Sequence, residues 1–175
     1  KLSTTISFKN EGDVIVLLGP LPENAHSSIY VREILDNKFS PCPDFDLDTE
    51  YKLHLLMTEL IGQSLIASAH DISEGGLFAS LTESAMGGKI GFEILLPSSI
   101  RKDIFLFSES QSRAIISVPL ENFKRVASIV DKQDFPILRL GTVKSSSIHI
   151  DGSDFGSISS WADLYQNALS IILEQ

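Results

Sequence analysis

The sequence predicts an α+β domain built in layers, and three observations predict it. Short aliphatic runs of strand length alternate with amphipathic segments of helix length, both helices and hairpin-like turns join the strands, and neither repeat nor low-complexity linker interrupts the series. A chain of 175 residues that is 43% hydrophobic fits one domain, residues 1–175, with ample material for a core.

Asp13 to Leu18 is a β-branched and aliphatic run stopped by Gly19-Pro20, the pattern of a buried strand. A helix is expected after Ser27-Ser28, with Ile29, Val31, Ile34 and Leu35 as its apolar side, before Pro41 and Pro43 break the chain. The helical pattern is clearest from Asp48 to about Leu65: Leu53, Leu56, Met57, Leu60 and Ser64 recur at i, i+3, i+4, i+7 and i+11, and Asp48 is the expected N-cap. The apolar lead-in from Leu65 to Ala69 reads as a strand that delivers Asp71 at its end. The next helix starts around Ser73 or Gly75 and stops at Gly87-Gly88, where glycine can take the left-handed geometry of a helix end. Ile90, Phe92 and Ile94 alternate with Gly91, Glu93 and Leu95 at the period of a strand. Arg113 to Val118 is another strand, ended by Pro119, and Glu121 to Val130 is a helix with Phe123, Val126, Ala127 and Val130 along one side. Two strands, Pro136 to Val143 and Ser147 to Ile150, precede a last helix from Trp161 to about Leu173 that Ser159 or Ser160 caps.

The formal charge of −9, with no dense Lys/Arg cluster, makes nucleic acid a poor partner. The single cysteine, Cys42, forbids an intrachain disulfide and a cysteine-based metal site, which fits a reducing cytoplasm. No apolar run reaches membrane-spanning length, so no membrane partner is expected. The amino end lacks a signal-peptide pattern and starts at Lys1 rather than Met, as an excised piece of a longer chain would. With no Walker-type phosphate loop, His-Glu metal pattern or nucleophile elbow, no residue is assigned a catalytic or metal-ligating role.

Two clusters carry what chemistry there is. In Ala69-His70-Asp71-Ile72-Ser73-Glu74-Gly75-Gly76-Leu77, a strand end fixes Asp71, Ser73 can cap the helix that follows, and Gly75-Gly76 opens the backbone amides to close approach by an anion or a metal-linked phosphate. The alternative is that Asp71 and Ser73 satisfy amides at a helix start while the glycines permit tight packing. His70 is read as a hydrogen-bonded structural residue and not as a base. In Ser108-Glu109-Ser110-Gln111-Ser112-Arg113, a carboxylate, a hydroxyl and an amide stand side by side, able to contact a sugar or an amide substrate. The alternative is a polar turn entering a strand, with Arg113 paired to an acidic neighbour. A third place is Ala25-His26-Ser27-Ser28, where Ser27 and Ser28 either hold a phosphate or cap a helix. The phosphate-binding candidates are therefore Ser27, Ser28, Gly75 and Gly76. The substrate-binding or interface candidates are Asp71, Ser73, Glu109, Ser110, Gln111 and Arg113.

The two clusters together resemble the C-terminal domain of the superfamily that contains aminoimidazole ribonucleotide synthetase and phosphoribosylformylglycinamidine synthase. Glu109-Ser110-Gln111-Ser112-Arg113 running into a strand is similar to the last domain of the second, large ATP-dependent branch. The resemblance covers most of the chain and implies helices packed on a mixed sheet. It further implies part of a purine-biosynthesis ligase that converts formylglycinamide ribonucleotide, ATP and glutamine-derived ammonia to formylglycinamidine ribonucleotide. In that branch a Glu-Ser-Gln triplet in an earlier copy of the domain contacts the substrate. This copy would supply one wall of a composite cleft and packing area between domains. The resemblance implies ATP and Mg2+ as cofactors of the intact enzyme, with neither bound by this fragment alone, which is expected to be inactive. Implied partners are upstream ATP-binding domains of the same chain and a glutaminase domain or subunit, together with self-association of the fragment through a face left uncovered. Relatives often carry a Gly-Gly-Ser turn where this chain has Ala25-His26-Ser27, a departure that weighs against close backbone approach to a ligand there. Two other readings stand beside this one. The first is another superfamily member, such as aminoimidazole ribonucleotide synthetase, selenophosphate synthetase or a hydrogenase-maturation protein, none of which is expected to carry the Glu-Ser-Gln-Ser-Arg run. The second is a noncatalytic interaction module, distinguished by whether Glu109, Gln111 and Asp71 share one concave surface.

Overall fold

The computed structural model describes residues 3–144 and 146–173. Its spine is β1 (Val14–Leu18), which is buried at all five positions. A strand buried throughout must have a layer on each face, and its alternate side chains divide accordingly. Ile15 and Leu17 enter one core, and Val14, Val16 and Leu18 enter another on the opposite face.

The remaining elements in chain order are α1 (Leu47–Gly62), β2 (Ser68–Asp71), α2 (Gly76–Gly88), β3 (Phe92–Ile94), α3 (Lys102–Phe107), β4 (Ala114–Val118), α4 (Phe123–Lys132), β5 (Ile137–Val143), β6 (Ser147–Ile150), β7 (Ser153–Ser157) and α5 (Ile158–Leu173). The strands form one seven-stranded sheet in the order β2-β4-β1-β5-β3-β6-β7. Neighbours run antiparallel except for β3 and β6, which are parallel, so the sheet is mixed. Leu53, Leu56 and Leu60 of α1, with Val126 and Val130 of α4, cover one face. Leu77, Leu81 and Ala85 of α2, with Phe105 and Leu106 of α3 and Ile158 of α5, cover the other. The expected α+β fold, helices layered on a mixed sheet, is thus the fold observed. Among the described residues no helix is long and apolar enough to cross a membrane.

Several local expectations give way to packing or to a better-placed neighbour. The segment after Ser27-Ser28 is only one π-type turn, Tyr30–Ile34, with no buried residue; Ile34 is 71% exposed because no layer of this domain lies over it. Helix α1 is capped by Asp46 and not by Asp48, since the Asp46 carboxylate accepts the Asp48 amide at 2.9 Å and the Thr49 hydroxyl at 2.8 Å. The same helix stops at Gly62, leaving Ser64 exposed beyond it and off its apolar face. At the end of α2 the left-handed residue is Lys89 (φ 55°), while Gly87 and Gly88 remain helical. Those glycines serve close packing: a Cβ on Gly88 would lie 2.4 Å from the Phe8 carbonyl oxygen. The short α3 and β7 have no counterpart in the sequence pattern. Helix α5 consequently begins at Ile158, and the hydroxyl that accepts an amide of its first turn is that of Ser157, bonded by the Ser160 N–H at 3.2 Å.

Candidate functional site

Sheet pairing joins the two polar clusters. β2 lies antiparallel to β4 with Asp71 opposite Ala114, so the exit of one strand and the entry of the other meet at one end of the sheet. The amino-terminal part of α1 closes the third side. A cleft of about 320 Å³ opens there, lined by Glu50 and His54 of α1, Asp71 and Ser73 after β2, and Gln111 and Arg113 before β4. Asp71, Ser73 and Gln111 are exposed, and Gln111 makes no hydrogen bond among the described residues, which leaves its amide available to a ligand.

Arg113 is the opposite case. It is 2% exposed, its Nε donates to the Ser110 carbonyl at 3.1 Å and its Nη2 to the Ser108 carbonyl at 2.6 Å, while Nη1 is buried without a partner. No carboxylate among the described residues lies within ion-pair range of it, so the acidic neighbour expected as its alternative partner is replaced by backbone carbonyls. Burial pulls its pKa down to about 10. The guanidinium therefore braces the turn ahead of β4 from beneath. Ser112, with φ 61°, donates its hydroxyl to Glu50 at 2.7 Å, and the other Glu50 oxygen lies 2.9 Å from His54 Nε2. This Ser112-Glu50-His54 chain ties the turn to α1.

Glu109 does not face the cleft. One of its carboxylate oxygens accepts both the Ile29 and the Gly75 amides, each at 2.9 Å. Ser110 receives the Ser108 hydroxyl at 3.2 Å and borders a neighbouring hollow that Gln111 also lines. Ser73 does not cap α2. Gly75 holds the cap position in a left-handed conformation (φ 81°) with no side-chain bond, and the Ser73 carbonyl accepts the Gly76 amide at 3.0 Å. Gly76 (φ 67°) packs so tightly on α3 that a Cβ there would lie 2.7 Å from the Leu106 carbonyl oxygen. At the third place, the Ser27 hydroxyl bonds the Pro41 carbonyl at 2.8 Å and the Ser28 hydroxyl bonds the Ala25 carbonyl at 2.7 Å. His70 Nε2 sits 2.9 Å from Glu83, and Nδ1 lies 3.3 Å from an Asp71 oxygen without hydrogen-bond geometry.

The structure thus brings together Asp71, Ser73, Gln111 and Arg113, and sets Glu109, Ser27, Ser28, Gly75 and Gly76 to internal work. Glu50 and His54 are cleft residues that the sequence reading missed. Their i, i+4 spacing is visible, but their connection to Ser112 is made only by folding.

Comparison with known proteins adds to this geometry. The family described as AIR synthase related protein, C-terminal domain, matches residues 10–151. The phosphoribosylformylglycinamidine synthase subunit PurL of Caldanaerobacter subterraneus subsp. tengcongensis is 43% identical over 147 residues, covering 84% of this chain and 20% of that protein. The chain therefore spans about a fifth of the length of the relative it matches. Thermotoga maritima PurL has a similar fold, with a TM-score of 0.73 at 17% identity in its complex with FGAR, covering 92% of this chain and 29% of that one. In its complex with ATP the TM-score is 0.71 at 17% identity, over 90% of this chain and 27% of that one. The match over residues 10–151, together with this sheet and its helical layers, places the chain in the family of AIR synthase related protein C-terminal domains.

Proposed function

We propose that the chain acts as the C-terminal domain of a phosphoribosylformylglycinamidine synthase, the ligase of purine biosynthesis that converts formylglycinamide ribonucleotide, ATP and ammonia to formylglycinamidine ribonucleotide. Its contribution is one wall of a composite cleft, with interdomain packing around it. The 43% identity to PurL supports the assignment, and the observation that carries the wall is the convergence of Asp71, Ser73 and Gln111 on one cleft of about 320 Å³. Of the three residues whose shared surface distinguishes a binding wall from a noncatalytic module, Asp71 and Gln111 line this cleft and Glu109 does not.

The residues present do not fit a nucleotide and its metal. Among the described residues no group of three His, Cys, Asp or Glu side chains is placed to hold a metal ion. The Gly75 amide, the natural phosphate donor, is taken by Glu109. ATP and Mg2+ therefore belong, in this proposal, to the ATP-binding domains of the full-length protein. A glutaminase domain or subunit supplies ammonia, and the assembly works in the cytoplasm. What this chain does is orient: Gln111 offers both a donor and an acceptor, Asp71 and Ser73 border the same opening, and Arg113 holds the turn that presents Gln111.

The test is Gln111→Ala in the full-length enzyme. Loss of one or two hydrogen bonds to substrate should raise the apparent KM for formylglycinamide ribonucleotide about tenfold, with the melting temperature unchanged because an exposed amide buries little area. An unchanged KM would reject the binding role.

A further inference from the structure

The two amides that share one Glu109 oxygen come from segments far apart in the chain. Ile29 follows the turn that Ser28 closes on Ala25 and stands at the amino end of the turn Tyr30–Ile34, and Gly75 stands at the amino end of the thirteen-residue α2. A helix amino end carries partial positive charge and unpaired N–H groups, and it ordinarily draws a phosphate, a carboxylate or a capping hydroxyl. Here no side chain of its own segment caps α2, and the left-handed Gly75 turns its N–H toward the Glu109 carboxylate, reaching it at 2.9 Å. The hydroxyls that would complete a phosphate seat are spent elsewhere: Ser27 on Pro41, Ser28 on Ala25. Gly76 directs its N–H to Ser73. The Ile29, Gly75 and Gly76 amides and the Ser27 and Ser28 hydroxyls thus each have an internal acceptor.

We infer that Glu109 is a built-in anion: its carboxylate fills the seat between the turn at residues 25–29 and the amino end of α2, excludes phosphoryl groups from it, and so determines which part of a ligand this domain can meet. A ligand entering the cleft is met by the polar side chains of Asp71, Ser73 and Gln111 and not by helix-end amides. The inference concerns the domain itself and holds whichever substrate the complete enzyme takes.

The 175-residue chain, whose two cores are both completed within it, serves for the test, with inorganic phosphate and acetate as probes and the Ile29 and Gly75 amide resonances as the readout. In the unmodified chain phosphate should leave both resonances in place. In Glu109→Ala both should titrate saturably and together with acetate or phosphate, and the lowered melting temperature should recover as the anion binds. In Glu109→Gln the neutral oxygen still fills the seat, so phosphate should move neither resonance, while hydrogen exchange at both amides should quicken about tenfold because a charge-assisted bond is replaced by a neutral one. Phosphate titrating the two amides in the unmodified chain or in Glu109→Gln would overturn the inference, as would a Glu109→Ala variant that takes up neither anion. If Glu109→Ala fails to fold, the other two proteins decide the matter.

Discussion

Replacing Arg113 with methionine tests whether a buried charge without a counter-ion stabilises this domain. The guanidinium is 2% exposed and spends two charge-assisted hydrogen bonds on the Ser108 and Ser110 carbonyls. Such bonds contribute about 1.5–3 kcal/mol each. Against them stands the cost of keeping the charge in the interior: a pKa drawn down to about 10 from the ordinary guanidinium range corresponds to roughly 3 kcal/mol. Methionine removes both contributions and fills much of the space, so the net loss should be modest, about 1–2 kcal/mol. For a domain of this size that is a fall in melting temperature of about 2–8 °C. Urea denaturation at neutral pH, with the slope unchanged, measures it. Had Arg113 been paired with a buried carboxylate, the same change would strand that charge and cost about 3–5 kcal/mol. A loss of that larger size would refute the reasoning, and so would a net gain in stability.

Gly76→Ala places a Cβ at φ 67° and 2.7 Å from the Leu106 carbonyl oxygen, so α2 and α3 must separate; a loss of about 2–5 kcal/mol in chemical denaturation is expected, and a neutral result would contradict the tight contact. The Leu96 backbone N–H, followed by Lys102, holds the Asp151 carboxyl below the usual aspartate range. An acid with a depressed folded-state pKa contributes stability above its ordinary value of 3.8 and loses it as the pH falls through the folded value, so Asp151→Asn should flatten the pH dependence of melting below about pH 4. A slope as steep as that of the parent chain would count against it. Phe39 and Phe45 ahead of α1, and Leu47, Tyr51 and Leu55 along it, are exposed apolar side chains. Light scattering of the isolated chain should show concentration-dependent association, and a strictly monomeric chain at high concentration would remove the case for an uncovered docking face. The isolated chain, mixed with ATP, ammonia and formylglycinamide ribonucleotide, should form no amidine, and turnover would reject the composite site.

Periodicity and composition by themselves determined the elements that bury a regular stripe or a continuous run. The five residues of β1 read as a buried strand because each is aliphatic, and the leucines of α1 recur at helical spacing because one helix face must meet the sheet. The α+β class follows from how such elements alternate. Tertiary structure alone decided the rest, because the partners lie far apart in the chain. Asp46 and Asp48 are equivalent caps on paper, and only the entry angle of the chain selects Asp46. Six residues of α3 and the polar β7 carry too little periodicity to be read, and gain their form from packing and pairing. The parallel pairing of β3 with β6 leaves no local trace at all. At the site, adjacency in sequence placed Glu109 and Gln111 in one cluster, yet folding separated them. Glu109 reaches back to amides at Ile29 and Gly75, while Gln111 faces the cleft. A carboxylate's role is set by which donors surround it in space, and those donors arrive only when three distant segments close on one another.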